Sequence, residues 1–345
     1  MTVRFGLVGY GVGGRLFHAP YIDASARCEL AGILVRNADR VAAARADLPG
    51  VTVYKSIDEM VADGVEAVTI STPPETRREL VVTAMEAGLH VIADKPFAPT
   101  ANDAAELVHV AECSARLLNV YHNRRWDTDI VTAREVIRQD ELGSISRLDL
   151  RCDQDDPFTL EGGPTGGLLR DLGSHVVDQA LNLLGPAAVV YAKLDCAPTP
   201  RGDTDVAFAL DVTHTSGAHS HISSCKLNRL DSRELRLLGA RGSYVSDYSD
   251  VQYRAILAGR RPKTDKEWGL EKSERWGVLR TTDGRDRIVP SLRGDYTELY
   301  TRFAEAIEEG GSGPVPATEG VAVLTVLDAA RESATTGQAV HIRGA

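Results

Sequence analysis

The chain has 345 residues, 43% of them hydrophobic and 26% charged, with a formal net charge of −10. That composition supports a buried core and about two domains, and it excludes a disordered tail or a fibre. The acidic balance argues against nonspecific binding to nucleic acid or to an anionic membrane, while local backbone amides remain able to hold an anionic cofactor.

The first third alternates short apolar runs with helical patterns. Strands are expected at Val3–Val8, 29–35, 51–54, Ala67–Ile70 and His90–Ala93, with a further strand at 117–121. Ser56 and Glu59 form a capping-box pattern between the third and fourth strands. Pro73 and Pro74 break the chain before a helix expected over 75–87, which Gly88 ends. Strands alternating with helices imply βαβ units and a parallel sheet. A helix is expected at 129–139. After Gly143 the pattern changes to strands at 145–152, 189–194, 206–213, 219–227, 235–238 and 243–248, most of them with no helix between. Helices are expected at 168–184, 296–309 and 319–335. The fold class is therefore an α/β Rossmann domain, residues 1–122, followed by an α+β domain, residues 123–345, with a large, mostly antiparallel open sheet. The last helix is expected to return toward the first domain.

Directly after the first strand stands Gly9-Tyr10-Gly11-Val12-Gly13-Gly14. In G-x-G-x-x-G one glycine permits the tight turn, another lets backbone approach a pyrophosphate, and the third lets the helix pack on the sheet. The helix start then offers free N–H groups and partial positive charge. The pattern alone is weakly specific; its place between two strands at the right spacing gives it force. The second strand ends Leu34-Val35-Arg36-Asn37. An NAD-selective site would carry an acid there for the ribose 2′-hydroxyl, whereas Arg36 suits the 2′-phosphate of NADP. The cofactor is read as NADP, with NAD as the alternative. Asn37 is also placed to cap the next helix, and Asp39 to stabilise its first turn.

A second motif closes the fifth strand: Asp94-Lys95-Pro96, where parallel sheets place their ligand crevice. A third runs Gly166-Gly-Leu-Leu-Arg-Asp171-Leu-Gly-Ser-His175-Val-Val-Asp178. Asp94-Lys95-Pro96 resembles the E-K-P signature, and the 166–178 run the G-G-x-L-x-D-x-G-x-H-x-x-D segment, of the glucose–fructose oxidoreductase / inositol dehydrogenase / rhizopine catabolism family. The tail, with Pro314-Val-Pro and Ala329-Ala-Arg-Glu-Ser333, is also similar, so the resemblance spans nearly the whole chain. Asp94 stands where the family has Glu, which leaves Lys95 in register. The resemblance implies a catalytic set of Lys95, Asp171 and His175, bound NAD(P), and hydride transfer to or from a sugar, cyclic polyol or related carbonyl compound. It also implies homodimers or homotetramers formed through the open sheet.

The chemistry of these residues can be argued independently. Asp171 and His175 lie four apart and share a helix face. An imidazole there suits a general base that takes a hydroxyl proton as hydride leaves. A lysine ammonium suits the developing alkoxide. Asp171 either orients His175 or binds a neighbouring hydroxyl; Asp178 reads as a supporting residue. Taken singly, a lysine before proline is usually a solvated turn charge, and Asp-x-x-x-His a surface helix pair.

Other cofactor-side candidates are Ser71, Thr72 and Pro73, which equally suit a turn and helix start, and Asn123 after the sixth strand. His18, in a Phe-His-Ala-Pro segment similar to one in the scyllo-inositol dehydrogenase subgroup, is read as touching cofactor or packing at the domain junction. His214, His219 and His221 flank a hairpin turn, and no cysteine or acid completes a ligand set, so no metal is expected. The segment 153–163 precedes the catalytic helix and is short and acidic, which leaves polyol, sugar and amino-sugar substrates open.

Cys28, Cys113, Cys152, Cys196 and Cys225 form no C-x-x-C pair and are odd in number, so they read as reduced thiols of a cytoplasmic protein. The N-terminal run is too short and glycine-broken for a secretory signal, and no stretch approaches the ~20 apolar residues of a membrane span. Two other classes stay open: a noncatalytic NADP-binding sensor, and a lyase- or hydrolase-type enzyme that oxidises its substrate transiently with bound NAD.

Overall fold

The computed structural model describes residues 2–162, 166–199, 202–247, 249–282 and 284–342. Two positions in the expected segments, Gly163 and Tyr248, lie outside the described residues. The chain forms two compact units. The first comprises 1–123, 253–268 and 295–321; the second comprises 124–252, 269–294 and 322–345.

The first unit is built on six parallel strands: β1 (Val3–Val8), β2 (Cys28–Leu34), β3 (Thr52–Tyr54), β4 (Ala67–Ile70), β5 (His90–Ala93) and β6 (Leu118–Val120). Their spatial order is β3-β2-β1-β4-β5-β6, the doubly wound order whose switch point falls between β1 and β4. Residues of β1 and β4 are almost wholly buried, because helices cover both faces of a parallel sheet. On one side Tyr10 packs with Leu7, Ala19, Ile33 and Ala44. The helix Thr297–Glu309 also belongs to this unit: Phe5 meets Tyr300 edge-on at 5.7 Å and Phe303 at 6.2 Å. Aromatic anchors of this size outweigh sequence distance in deciding where a helix packs.

The second unit carries nine strands: β7 (Ile145–Asp153), β8 (Ala187–Thr199), β9 (Gly202–His214), β10 (His219–Cys225), β11 (Ser232–Gly239), β12 (Gly242–Ser246), β13 (Gly277–Thr281), β14 (Asp286–Val289) and β15 (Val340–His341). They pair antiparallel except for β7 with β10. Burial alternates along β10, with Ser220, Ile222 and Ser224 turned inward, the period of a strand with one face covered. The helix Ser174–Leu184 packs on β7 and β10.

β8 and β9 run longer than their apolar stretches predict. Their outer ends, among them Asp195, Asp203 and Thr204, carry no alternation, yet the antiparallel ladder continues through them. Residues 251–294, which give no clear pattern, supply the helix Val251–Leu257 and the strands β13 and β14. β14 is largely exposed and charged, as suits an edge strand.

Candidate active site

The functional candidates of the first unit all follow the C-terminal ends of neighbouring strands. Gly9 follows β1 with φ +99°, and its N–H donates to the Leu34 carbonyl at 2.9 Å. A Cβ at Gly9 would come under 3.0 Å from the Ser71 carbonyl, and one at Gly14 under 3.0 Å from the Gly9 carbonyl. A Cβ at Gly13 would sit 2.6 Å from Ser71 Oγ. Only glycine closes this turn against the β4 loop. Gly11 is different: the nearest neighbour its Cβ would meet is the Arg40 guanidinium at 3.9 Å. Beside it Val12 is 71% exposed and no side chain caps the helix start. A cradle closed from below and open at Gly11–Val12, ending on uncapped N–H groups, fits a dinucleotide pyrophosphate.

The helix begins with a π-helical turn, Gly13–His18, and continues as Ala19–Ala24. Pro20 has no N–H to give Leu16, and the Ala19 N–H instead reaches the Gly14 carbonyl. This turn delivers His18 into the interior at 0% exposure. Its ring lies 4.1 Å from that of Tyr121, its Nδ1 is 2.6 Å from the Tyr300 hydroxyl, and its Nε2 is 3.2 Å from Asp94 Oδ2. His18 therefore packs internally and meets the acid–Lys–Pro triplet through Asp94.

Asp94 is the hub of the loop after β5. It accepts from Ser71 Oγ at 2.8 Å and from the Lys95 backbone N–H at 2.8 Å. Burial alone would raise its carboxyl; His18, Arg77 and Lys95 outweigh burial and hold it well below the usual range. Arg77 ties the two loops together by donating to the carbonyls of Thr72 at 2.6 Å, of Asp94 at 2.8 Å and of Pro96. Lys95 is half-buried. Thr72 accepts from the Thr76 hydroxyl at 3.0 Å, and Pro73 occupies the N-cap position of the helix Pro74–Glu86 without a side-chain cap. Asn37 Oδ1 caps the helix Ala38–Asp47 by accepting from the Arg40 N–H at 3.0 Å, while Arg36 is exposed. Asn123 is buried at the end of this unit.

In the second unit, Gly166 and Gly167 admit the start of the helix that carries Asp171 and His175. A Cβ at Gly166 would close under 3.0 Å on the Glu161 carbonyl, and one at Gly167, with φ +98°, on the Asp205 carboxylate. Asp205 accepts from the Leu169 N–H at 2.6 Å, capping the helix start. The helix runs as a π-helical turn, Leu169–Gly173, and then as Ser174–Leu184. Asp171 lies on the wide turn and His175 on the first α turn, where it is buried. A regular α-helix is thus replaced at the point where these side chains are set, a frequent feature of functional sites.

Asp178 is a structural anchor. Arg125 donates to it at 2.6, 2.9 and 3.1 Å, and both side chains are closed off from solvent. Removing one partner strands a buried charge, so Arg125→Leu is expected to lower unfolding stability by about 3–5 kcal/mol. Urea unfolding would check this, with Arg125→Leu/Asp178→Leu recovering most of the loss.

The three histidines flanking the β9–β10 turn do not converge. His214 is buried between the Gly185 carbonyl at 2.7 Å and Ser220 Oγ at 2.6 Å, and burial pushes its pKa down. His219 contacts Thr213 at 3.3 Å, and His221 pairs with Asp211 on the exposed face. Among the described residues no group of three His, Cys, Asp or Glu side chains is arranged to hold a metal ion, and no helix is long and apolar enough to cross a membrane.

A doubly wound sheet carrying a dinucleotide cradle, joined in sequence to an open-sheet unit with an Asp/His helix, defines an NAD(P)-binding oxidoreductase. Two family models match: an oxidoreductase family with an NAD-binding Rossmann fold over residues 3–122, and the GFO/IDH/MocA C-terminal domain over 130–245. The chain belongs to the GFO/IDH/MocA family. It is 31% identical over 341 residues to the Bacillus subtilis scyllo-inositol 2-dehydrogenase (NADP(+)) IolW, covering 96% of this chain and 94% of that one. It is 27% identical to the inositol 2-dehydrogenase of Rhizobium meliloti over 96% and 97% of the two chains. The solved structure of Bacillus subtilis yvaA superposes with a TM-score of 0.90 at 30% identity, covering 99% of each chain.

Proposed function

We propose that this protein is an NADP-preferring dehydrogenase or reductase of a cyclic polyol or sugar, acting at a CH–OH carbon, with Lys95, Asp171 and His175 as its catalytic residues. The observation that carries the reading is the joint occurrence of the open glycine cradle at Gly11–Val12, flanked by Arg40, and the specialised helix start that presents Asp171 and His175. The name of the Bacillus relative, an NADP-dependent scyllo-inositol dehydrogenase, supports both the cofactor and the substrate class.

Gly9, Gly11, Val12, Gly13 and Gly14 would hold the pyrophosphate, and Arg36 with Arg40 the 2′-phosphate. Asn37 shapes that corner through its cap, while Ser71, Thr72, Pro73, Asp94, Lys95 and Asn123 would contribute to holding the nicotinamide half. Bound NADP supplies the hydride acceptor in oxidation and the donor in reduction. His175 takes the substrate hydroxyl proton in oxidation and returns it in reduction. The Lys95 ammonium hydrogen-bonds the same oxygen and stabilises its developing negative charge. Asp171 binds a neighbouring hydroxyl.

The reading includes a homodimer or homotetramer formed across the nine-stranded sheet. The outer face of that sheet carries both signs of charge, as in Arg147–Asp149 at 2.6 Å and Arg236–Glu234 at 2.7 Å. It also includes a reducing, cytoplasmic setting, in keeping with five free cysteines.

The test is a panel of cyclic polyols, aldoses and amino sugars run with NADP⁺ and NAD⁺ and followed by cofactor absorbance. Turnover of a polyol or sugar, faster with NADP⁺, is expected. Cofactor binding with no turnover of any substrate would favour a sensor. Product formed with no net change in NAD(P)H would favour transient oxidation within a lyase or hydrolase cycle.

A further inference from the structure

Lys226 follows the last residue of β10, and its N–H donates to the Val206 carbonyl at 3.1 Å. Its side chain is only 3% exposed. Nζ donates to Asp171 Oδ2 at 3.0 Å and to Thr159 Oγ1 at 2.8 Å. Burying an ammonium is costly unless it is paired and hydrogen-bonded, so this pairing is what lets Lys226 lie inside the unit.

This arrangement differs from that of the buried pair Arg125–Asp178. Arg125 and Asp178 are both closed off, as a packing anchor requires. Asp171, by contrast, keeps 41% of its side chain exposed. Thr159 lies on the short turn Pro157–Thr159, inside the acidic segment that leads to the catalytic helix. Lys226 thus joins a fixed buried charge to an open-facing carboxylate, and joins both to the segment beside them.

We propose that Lys226 is a positioning residue for the reaction. It holds Asp171 as a carboxylate in one orientation, and through Thr159 it latches the 155–162 segment against it. A carboxylate held this way accepts a hydrogen bond from a substrate hydroxyl next to the reacting carbon. The substrate class narrows accordingly to compounds with a hydroxyl on the carbon adjacent to the one oxidised or reduced. The inference rests on the reading of Asp171 as a substrate-contacting residue.

A double-mutant cycle tests it, using the full chain and the best substrate of the polyol and sugar panel. Lys226→Met keeps the length of the side chain and removes its charge. Loss of a charge-assisted hydrogen bond is expected to lower kcat/KM about 10–100-fold, with NADPH affinity, read by fluorescence titration, unchanged. In an Asp171→Asn background the same substitution should cost less than about twofold, because its target is already gone. Equal cost in both backgrounds would mean a purely structural role and would overturn the proposal. So would a Lys226→Met enzyme as active as the parent while Asp171→Asn is impaired. A fully active Asp171→Asn would overturn the reading of Asp171 itself, and the positioning role with it. If Lys226→Met does not fold, Thr159→Val removes only one contact of the same ammonium and carries the same cycle, with a smaller expected loss.

Discussion

Replacing Lys95 or His175 by alanine is expected to lower turnover by about 10²–10⁴, while NADPH affinity stays near that of the parent chain. The two substitutions remove different contributions. At Lys95, alanine deletes the ammonium that would balance charge on the substrate oxygen. It leaves the backbone N–H on Asp94 Oδ1 at 2.8 Å, so the loop held by Ser71 and Arg77 keeps its shape. At His175, alanine deletes the proposed proton acceptor from a helix whose start is fixed elsewhere, by Asp205 on the Leu169 N–H at 2.6 Å. The His175→Ala enzyme should also lose the pH limb belonging to its general base, whereas Lys95→Ala should keep it. Steady-state kinetics across pH, with NADPH fluorescence titration as the control, measure both. Turnover unchanged in both variants would remove these residues from the chemistry. Turnover and cofactor affinity lost together would mean that the substitutions damage the fold.

The features legible from sequence are those written in short, local patterns. Gly9, Gly11 and Gly14 sit within one turn of a buried strand, and the Asp94-Lys95-Pro96 and Asp171…His175 segments each lie within a dozen residues. The six-stranded parallel sheet and the mostly antiparallel second sheet followed from periodicity. What stayed hidden is carried by contacts across long sequence separations. Lys226 meets Asp171 across 55 positions, and no local pattern marks a lysine at a strand end as buried. Tyr300 reaches His18 across 282 positions, drawing a late helix into the first unit. Arg77 carries no local pattern that marks it as buried, yet it lies against three carbonyls. The π-helical turns at Gly13–His18 and Leu169–Gly173 leave only a faint signal, Pro20 just after the first and the Gly166–Gly167 pair before the second. The strand β14 is not legible in the sequence because a charged edge strand lacks the apolar alternation that identifies central ones.

Arg40 is the residue of this kind that bears most on the proposed NADP preference. It lies one helical turn beyond Arg36 and was masked by its ordinary place on an exposed helix. Its guanidinium is nevertheless the nearest group to the open side of Gly11, at 3.9 Å from where a Cβ would stand. Arg36 follows β2, and Asn37 between them is committed to the helix cap. Two guanidinium groups and no acid at the strand end suit the 2′-phosphate that distinguishes NADP from NAD. The Arg36→Ala/Arg40→Ala enzyme is therefore expected to lose about 10²-fold in kcat/KM for NADP⁺, the lower end for two charge-assisted bonds at an exposed site. With NAD⁺, which has no 2′-phosphate, it should change less than about threefold, since an exposed charge removed without a partner is worth little. The parent's advantage with NADP⁺ should also shrink as ionic strength rises, because exposed charges are screened. Equal losses with both cofactors would assign the two arginines to the pyrophosphate or to the fold and would overturn the NADP preference. A loss confined to NADP⁺ in Arg40→Ala alone would place the discrimination on the helix rather than on the strand end.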